Sequence, residues 1–180
     1  MRTLKANRLD RRRAAVFVQS FEVSNLKQLD RLTKVRLVQL IGGSGAPYDF
    51  VDSGSSRTYD SLLTRRGLRR VSLYADGIGP DKNRIVPRDA QNRLLTPTSL
   101  VDDAHDADLL VHPYTFRPEN NFLPAEFRQG NSTSPEYLRA LGDLPGELRL
   151  FFDLGVDGVF ADAPDTAVSV RQRWSRISER

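Results

Sequence analysis

Apolar residues gather in five short runs. Ala14-Ala15-Val16-Phe17-Val18-Gln19-Ser20 is nearly continuous, and Val35–Ile41, Val71–Tyr74, Leu109–Tyr114 and Val156–Phe160 follow. None alternates strictly between apolar and polar, so each reads as a strand covered on both faces, the habit of a parallel sheet. Helical spacing fills the gaps. Leu26, Leu29 and Leu32 share a face after a cap at Ser24, and Leu62 and Leu63 lie in a segment opened by Thr58 and closed by Gly67. Ser99 opens a helix carrying Val101 and Ala104. Ser134-Pro135-Glu136 combines a cap, a first-turn proline and an acid at the positive helix end. A last helix bearing Leu148, Phe151 and Phe152 stops at Gly155. Alternating strands and helices predict an α/β protein with right-handed crossovers.

The connections are lopsided. Long polar stretches at 42–57, 80–97 and 117–133 follow strands, whereas the returns at Lys34, Arg69-Arg70 and Gly155 are brief. A β/α barrel has this asymmetry, with its reactive end at the strands' carboxyl ends. An open doubly wound sheet also fits the alternation. Gly42-Gly43-Ser44-Gly45 has neither the Lys-Ser/Thr of a phosphate loop nor the spacing of a dinucleotide fingerprint, and reads as a flexible glycine loop.

Composition narrows the class. Among the 180 residues Leu, Ile, Val and Phe exceed a quarter, enough for a packed core. No apolar run is long enough to span a bilayer. Cys is absent, which excludes disulfides, thiol nucleophiles and thiolate-bound zinc. The net charge of +4 is concentrated at the ends. Arg2, Lys5, Arg8, Arg11, Arg12 and Arg13 oppose only Asp10, and Arg171, Arg173, Arg176 and Arg180 oppose only Glu179, so the body is net acidic. That distribution argues against a groove for nucleic acid.

Five strings make the chain recognisable: Val18-Gln19-Ser20-Phe21-Glu22 with Asn25-Leu26-Lys27; Val38-Gln39-Leu40; Tyr74-Ala75-Asp76-Gly77-Ile78-Gly79-Pro80; Val111-His112-Pro113-Tyr114-Thr115-Phe116-Arg117; and Gly155–Asp165. In this order and spacing they resemble the glycerophosphodiester phosphodiesterases, specifically the bacterial periplasmic branch. The resemblance covers residues 14–168, between a basic N-terminal helix or tail (1–13) and a basic C-terminal tail (169–180). It implies a TIM-type barrel that hydrolyses glycerophosphodiesters to glycerol 3-phosphate and an alcohol. It also implies calcium or magnesium at the phosphate and a pair of acid/base histidines.

The family's strings His-Arg-Gly, Glu-x-Asp and Glu-x-Lys do not occur in this sequence. The expectation is therefore a partial barrel of about the last five strands, inactive alone, with no catalytic residue of its own and no tightly held metal. The alternative is a non-catalytic remnant or subunit that docks onto a complementary chain or self-associates. Met1-Arg2-Thr3-Leu4-Lys5 is followed by charged residues and not by the apolar core of an export signal, although relatives are periplasmic or secreted, so the compartment stays open.

Within the resemblance, Phe21 stands where the family sets an aromatic against glycerol, or is plain core. Tyr114 and Arg117 stand at a strand end that lines the pocket. Arg117 either meets phosphate through its planar fork or pairs with Glu119. Asp162, in Ala161-Asp162-Ala163-Pro164 where relatives carry Thr-Asp-Phe-Pro, is expected to order its loop. Glu22, Asp49, Asp52 and Asp76 are strand-end carboxylates without an assigned role. Of the two histidines, His112 reads as structural or pocket-lining. His105 lies with Asp102, Asp103 and Asp106 on a helix face, where consecutive positions diverge too much for a shared metal.

Overall fold

The computed structural model describes residues 1–178. Four parallel strands, β1 (Phe17–Ser20), β2 (Arg36–Ile41), β3 (Gly77–Pro80) and β4 (Leu110–Val111), form one sheet in chain order. Parallel neighbours need crossovers, and helices supply them. After α1 (Arg2–Ala6), α2 (Val23–Asp30) links β1 to β2. Next, α3 (Tyr48–Asp52), α4 (Tyr59–Leu63) and α5 (Arg65–Val71) lead to β3, α6 (Leu100–His105) leads to β4, and α7 (Leu144–Asp153) and α8 (Pro164–Ser178) close the chain. The protein is α/β, as expected. Among the described residues no helix is long and apolar enough to cross a membrane. The chain divides into two compact units, Met1–Asp81 with Asp102–Val111, and Lys82–Val101 with the chain from His112 on.

The first unit holds the sheet. Leu37, Val38, Gln39, Leu40 and Ile41 of β2 are all buried. Gln39 is tolerated there because its polar atoms are satisfied. Its Nε2 donates to the carbonyls of Phe21 (2.9 Å) and Leu40 (3.1 Å), and its Oε1 accepts from the Tyr74 hydroxyl at 3.0 Å. In α2, Val23 and Leu26 face the core, but the helix ends before Leu32, which is 53% exposed. Glu22, not Ser24, occupies the N-cap; the Ser24 N–H donates instead to the Asp49 carboxylate at 2.6 Å.

The third strand is displaced from its expected place. Val71 ends α5, Leu73 lies in a turn, and the strand begins at Gly77. A Cβ on Gly77 would lie 2.8 Å from the Leu110 carbonyl oxygen, so glycine is what lets β4 approach. This requirement overrides the reading of Gly and Pro as strand breakers. Arg69-Arg70 therefore belongs to α5. Gly67 lies inside that helix instead of closing it: a Cβ there would run into the Ser61 and Leu62 carbonyls, while Thr64 Oγ1 caps α5 by accepting the Gly67 N–H at 3.0 Å. The expected strand at 109–114 shrinks to Leu110–Val111.

The second unit is built on α7, which buries Leu144, Glu147, Leu148, Phe151 and Phe152. Asp143 caps it by accepting the Gly146 N–H at 2.9 Å, and the chain turns out at Gly155 with φ +88°. Val156–Phe160 is not a strand. One parallel bridge joins Phe116 to Ala161, because Pro113 has no N–H with which to extend a ladder. Ser134-Pro135-Glu136 forms turns and no helix: Leu138 and Leu141 behind it are exposed, so no apolar face is available to pack. Most of the expected C-terminal tail lies in α8; Glu179 and Arg180 lie outside the described residues.

Candidate functional site

In the first unit the carboxyl ends of β1 and β2 carry an aromatic pair. Phe21, directly after β1 and 37% exposed, meets Tyr59 edge-on with ring centroids 6.2 Å apart. Tyr59 caps the glycine loop, since a Cβ on Gly42 would lie 2.9 Å from its ring. The phenol of Tyr59 is pushed up by burial, then by the charges of Glu22 and Asp49. Asp76 sits at the entry of β3 and not at its exit, a direct consequence of the displaced strand. There it accepts the Leu37 N–H at 2.9 Å and pairs with Arg12 at 2.7 Å.

In the second unit the stretch after His112 brings Tyr114 and Arg117 to its surface, both half-buried. Arg117 does not pair with Glu119. Its Nε lies 2.7 Å from Asp162 Oδ2, and its guanidinium stands 4.6 Å from the Phe122 ring centroid. The Phe116–Ala161 bridge explains the choice, because the Asp162 N–H donates to the Phe116 carbonyl at 3.0 Å and so delivers the carboxylate beside Arg117. The pair is partly solvated, 39% and 55% exposed, hence weak and exchangeable. His112 is buried against Phe160, ring centroids 6.3 Å apart, with Gly158 leaving room for its ring.

Behind this surface lies a charged cluster with no signal in the sequence. Lys82 Nζ donates to both oxygens of Glu147 (2.7 and 2.9 Å), and Arg88 Nη2 donates to one of them at 3.0 Å. Lys82 and Arg88 each also donate to the Phe122 carbonyl at 3.2 Å. Burial pushes the Glu147 carboxyl above its ordinary value, opposed by Lys82 and then Arg88. Both cations thus hold the backbone of the residue whose ring supports Arg117.

Among the described residues no three of His, Asp or Glu come together as metal ligands. Asp103, in the acidic segment around His105, pairs instead with Arg65 at 2.7 Å.

The model of the glycerophosphoryl diester phosphodiesterase family matches residues 2–166. The chain belongs to that family. Glycerophosphodiester phosphodiesterase GDPD6 of Arabidopsis thaliana is 35% identical over 147 residues, covering 82% of this chain and 35% of that protein. A glycerophosphodiester phosphodiesterase of Haemophilus influenzae is 28% identical over 185 residues, covering 93% of this chain and 45% of that protein. The chain therefore spans less than half the length of these relatives. In fold it is similar to the crystal structure of a putative glycerophosphoryl diester phosphodiesterase from Silicibacter pomeroyi (TM-score 0.53, 16% identity, 93% of this chain and 40% of that one).

Proposed function

We propose that this chain supplies the later staves and part of the pocket wall of a glycerophosphodiester phosphodiesterase, as a partial TIM-type barrel. The observation that best supports this reading is the sheet's first edge. β1 hydrogen-bonds to β2 alone among the named strands, and its residues run half-buried, half-buried, exposed, half-buried, whereas β3 is buried throughout. A half-buried Phe-Val-Gln-Ser strand at the edge of a sheet is a template for a further strand, which a closed barrel provides.

On this reading Phe21 packs against glycerol, Tyr114 lines the head-group side, and Arg117 exchanges Asp162 for a phosphate oxygen while its guanidinium stays on Phe122. An alkoxide leaving group must be protonated and phosphate charge must be neutralised. Those tasks belong to the His-Arg-Gly and Glu-x-Asp segments that this sequence does not contain, and so does the cation. The isolated chain is then expected to bind glycerol 3-phosphate weakly and to release none from glycerophosphocholine with calcium. Turnover by the purified chain that a chelator abolishes would overturn the second expectation.

The same edge favours a second reading, a non-catalytic module that docks onto another chain or onto itself. Light scattering after size exclusion separates the outcomes: a stable monomer counts against both the docking module and the open edge.

A further inference from the structure

The first unit carries a groove of about 620 Å3 between α2, α4 and α5. Its floor is apolar: Val23, Leu62, Val71 and Tyr74 are buried side chains, and Leu73 stands at the lip 78% exposed. Its rim is basic, with Lys27, Arg31, Arg57 and Arg70 against the single carboxylate of Asp30. None of the four cations has an ion-pair partner among the described residues. Two are braced instead of loose. The Arg57 guanidinium lies 3.9 Å from the Phe50 ring centroid with its Nε donating to Ser55 at 3.2 Å, and Lys27 lies 5.5 Å from the Tyr74 ring centroid.

Four like charges around one concavity repel each other and attract an anion. The floor rejects a small hydrated anion, because its apolar surface gains nothing from inorganic phosphate. The volume suits a small molecule and is short for a protein segment. We propose that this groove binds a single-chain amphiphile with an anionic head, a carboxylate or a phosphate on an alkyl or acyl chain. The chain lies on Val23, Leu62 and Leu73, and the head sits among the cations. No lining residue belongs to the Phe21, Tyr114 and Arg117 set, so the proposal stands apart from the phosphodiesterase reading.

Calorimetric titration of the whole chain with dodecyl phosphate and with laurate, below micelle-forming concentrations, is the test. Saturable one-to-one binding of either probe is expected, identifying the head group preferred. Affinity should fall about tenfold or more in Arg57→Gln/Arg70→Gln and in Leu73→Asp, all exposed positions whose substitution spares the core. Dodecyltrimethylammonium and inorganic phosphate should not saturate. Equal binding of the cationic and anionic chains, unchanged affinity in both variants, binding of phosphate alone, or binding only to anionic vesicles and never to monomeric probe would each overturn the proposal.

Discussion

Lys82 and Glu147, 65 positions apart, meet through two contacts of 2.7 and 2.9 Å, with Glu147 wholly buried and Lys82 6% exposed. Charges at that depth are tolerated only when paired and hydrogen-bonded, and the Phe122 carbonyl and Arg88 complete the set. The cluster joins the start of the segment after β3, the loop behind Arg117 and helix α7 inside one unit.

Glu147→Ala removes the carboxylate that buried Lys82 and half-buried Arg88 both contact and is expected to lower stability by about 3–5 kcal/mol. The double variant Lys82→Met/Glu147→Leu should recover much of that loss, because it removes the two buried charges together and leaves only the more exposed Arg88. Urea unfolding followed by Trp174 fluorescence reads the second unit, since that ring lies 5.8 Å from Phe152 of α7.

The Tyr74 hydroxyl donates to buried Gln39, and burial pushes its ionisation well above the ordinary value of 10; Tyr59 is raised as well. A tyrosine raised on folding contributes stability that is present below pH 10 and lost as pH rises through the folded value. Tyrosinate absorbance should therefore show a late phase, from Tyr59 and Tyr74, that coincides with unfolding. Tyr74→Phe should abolish the later of these steps and cost about 1–3 kcal/mol, because Gln39 Oε1 loses its donor.

Gly77→Ala should destabilise the first unit by about 1–3 kcal/mol, since the new methyl meets the backbone of Leu110. Gly43→Ala is the control. Its Cβ would lie 3.4 Å from the Asp81 carboxylate, an ordinary contact, and its midpoint of urea unfolding should stay near that of the parent.

Arg117→Lys should weaken glycerol 3-phosphate binding about tenfold, because the planar fork is lost. Asp162→Asn should strengthen it by about two- to fivefold, the worth of the exposed ion pair it removes. Nuclear magnetic resonance titration of the isolated chain reads both. Equal affinities in the two variants would separate Arg117 from the phosphate.

Much of the fold was legible where burial follows from the local pattern alone. β1, β2 and the helix ending at Gly155 each rest on a run of large apolar residues with a clear stop. β3 was hidden because Gly77-Ile78-Gly79-Pro80 is strand only by virtue of Leu110 pressing against it, a fact of tertiary packing. For the candidate site, the family strings single out Phe21, Tyr114 and Arg117 but carry no signal for Tyr59 beside Phe21. Arg117 meets Asp162 and not the nearby Glu119, since a bridge between residues 45 positions apart in sequence (Phe116 and Ala161) decides its partner. Lys82, Arg88 and Glu147 look like surface charges in one dimension, and only the folded unit reveals Lys82 and Glu147 as buried with Arg88 half-buried against them.

The role proposed for this chain is to form one part of a phosphodiesterase pocket. Co-refolding it with the part of the Haemophilus influenzae relative that this chain does not match, followed by assay on glycerophosphocholine with calcium, is the decisive measurement. The expected result is glycerol 3-phosphate release by the mixture, absent from either part alone and lost with Arg117→Ala. A stable complex that stays inactive, or activity indifferent to Arg117, would contradict it.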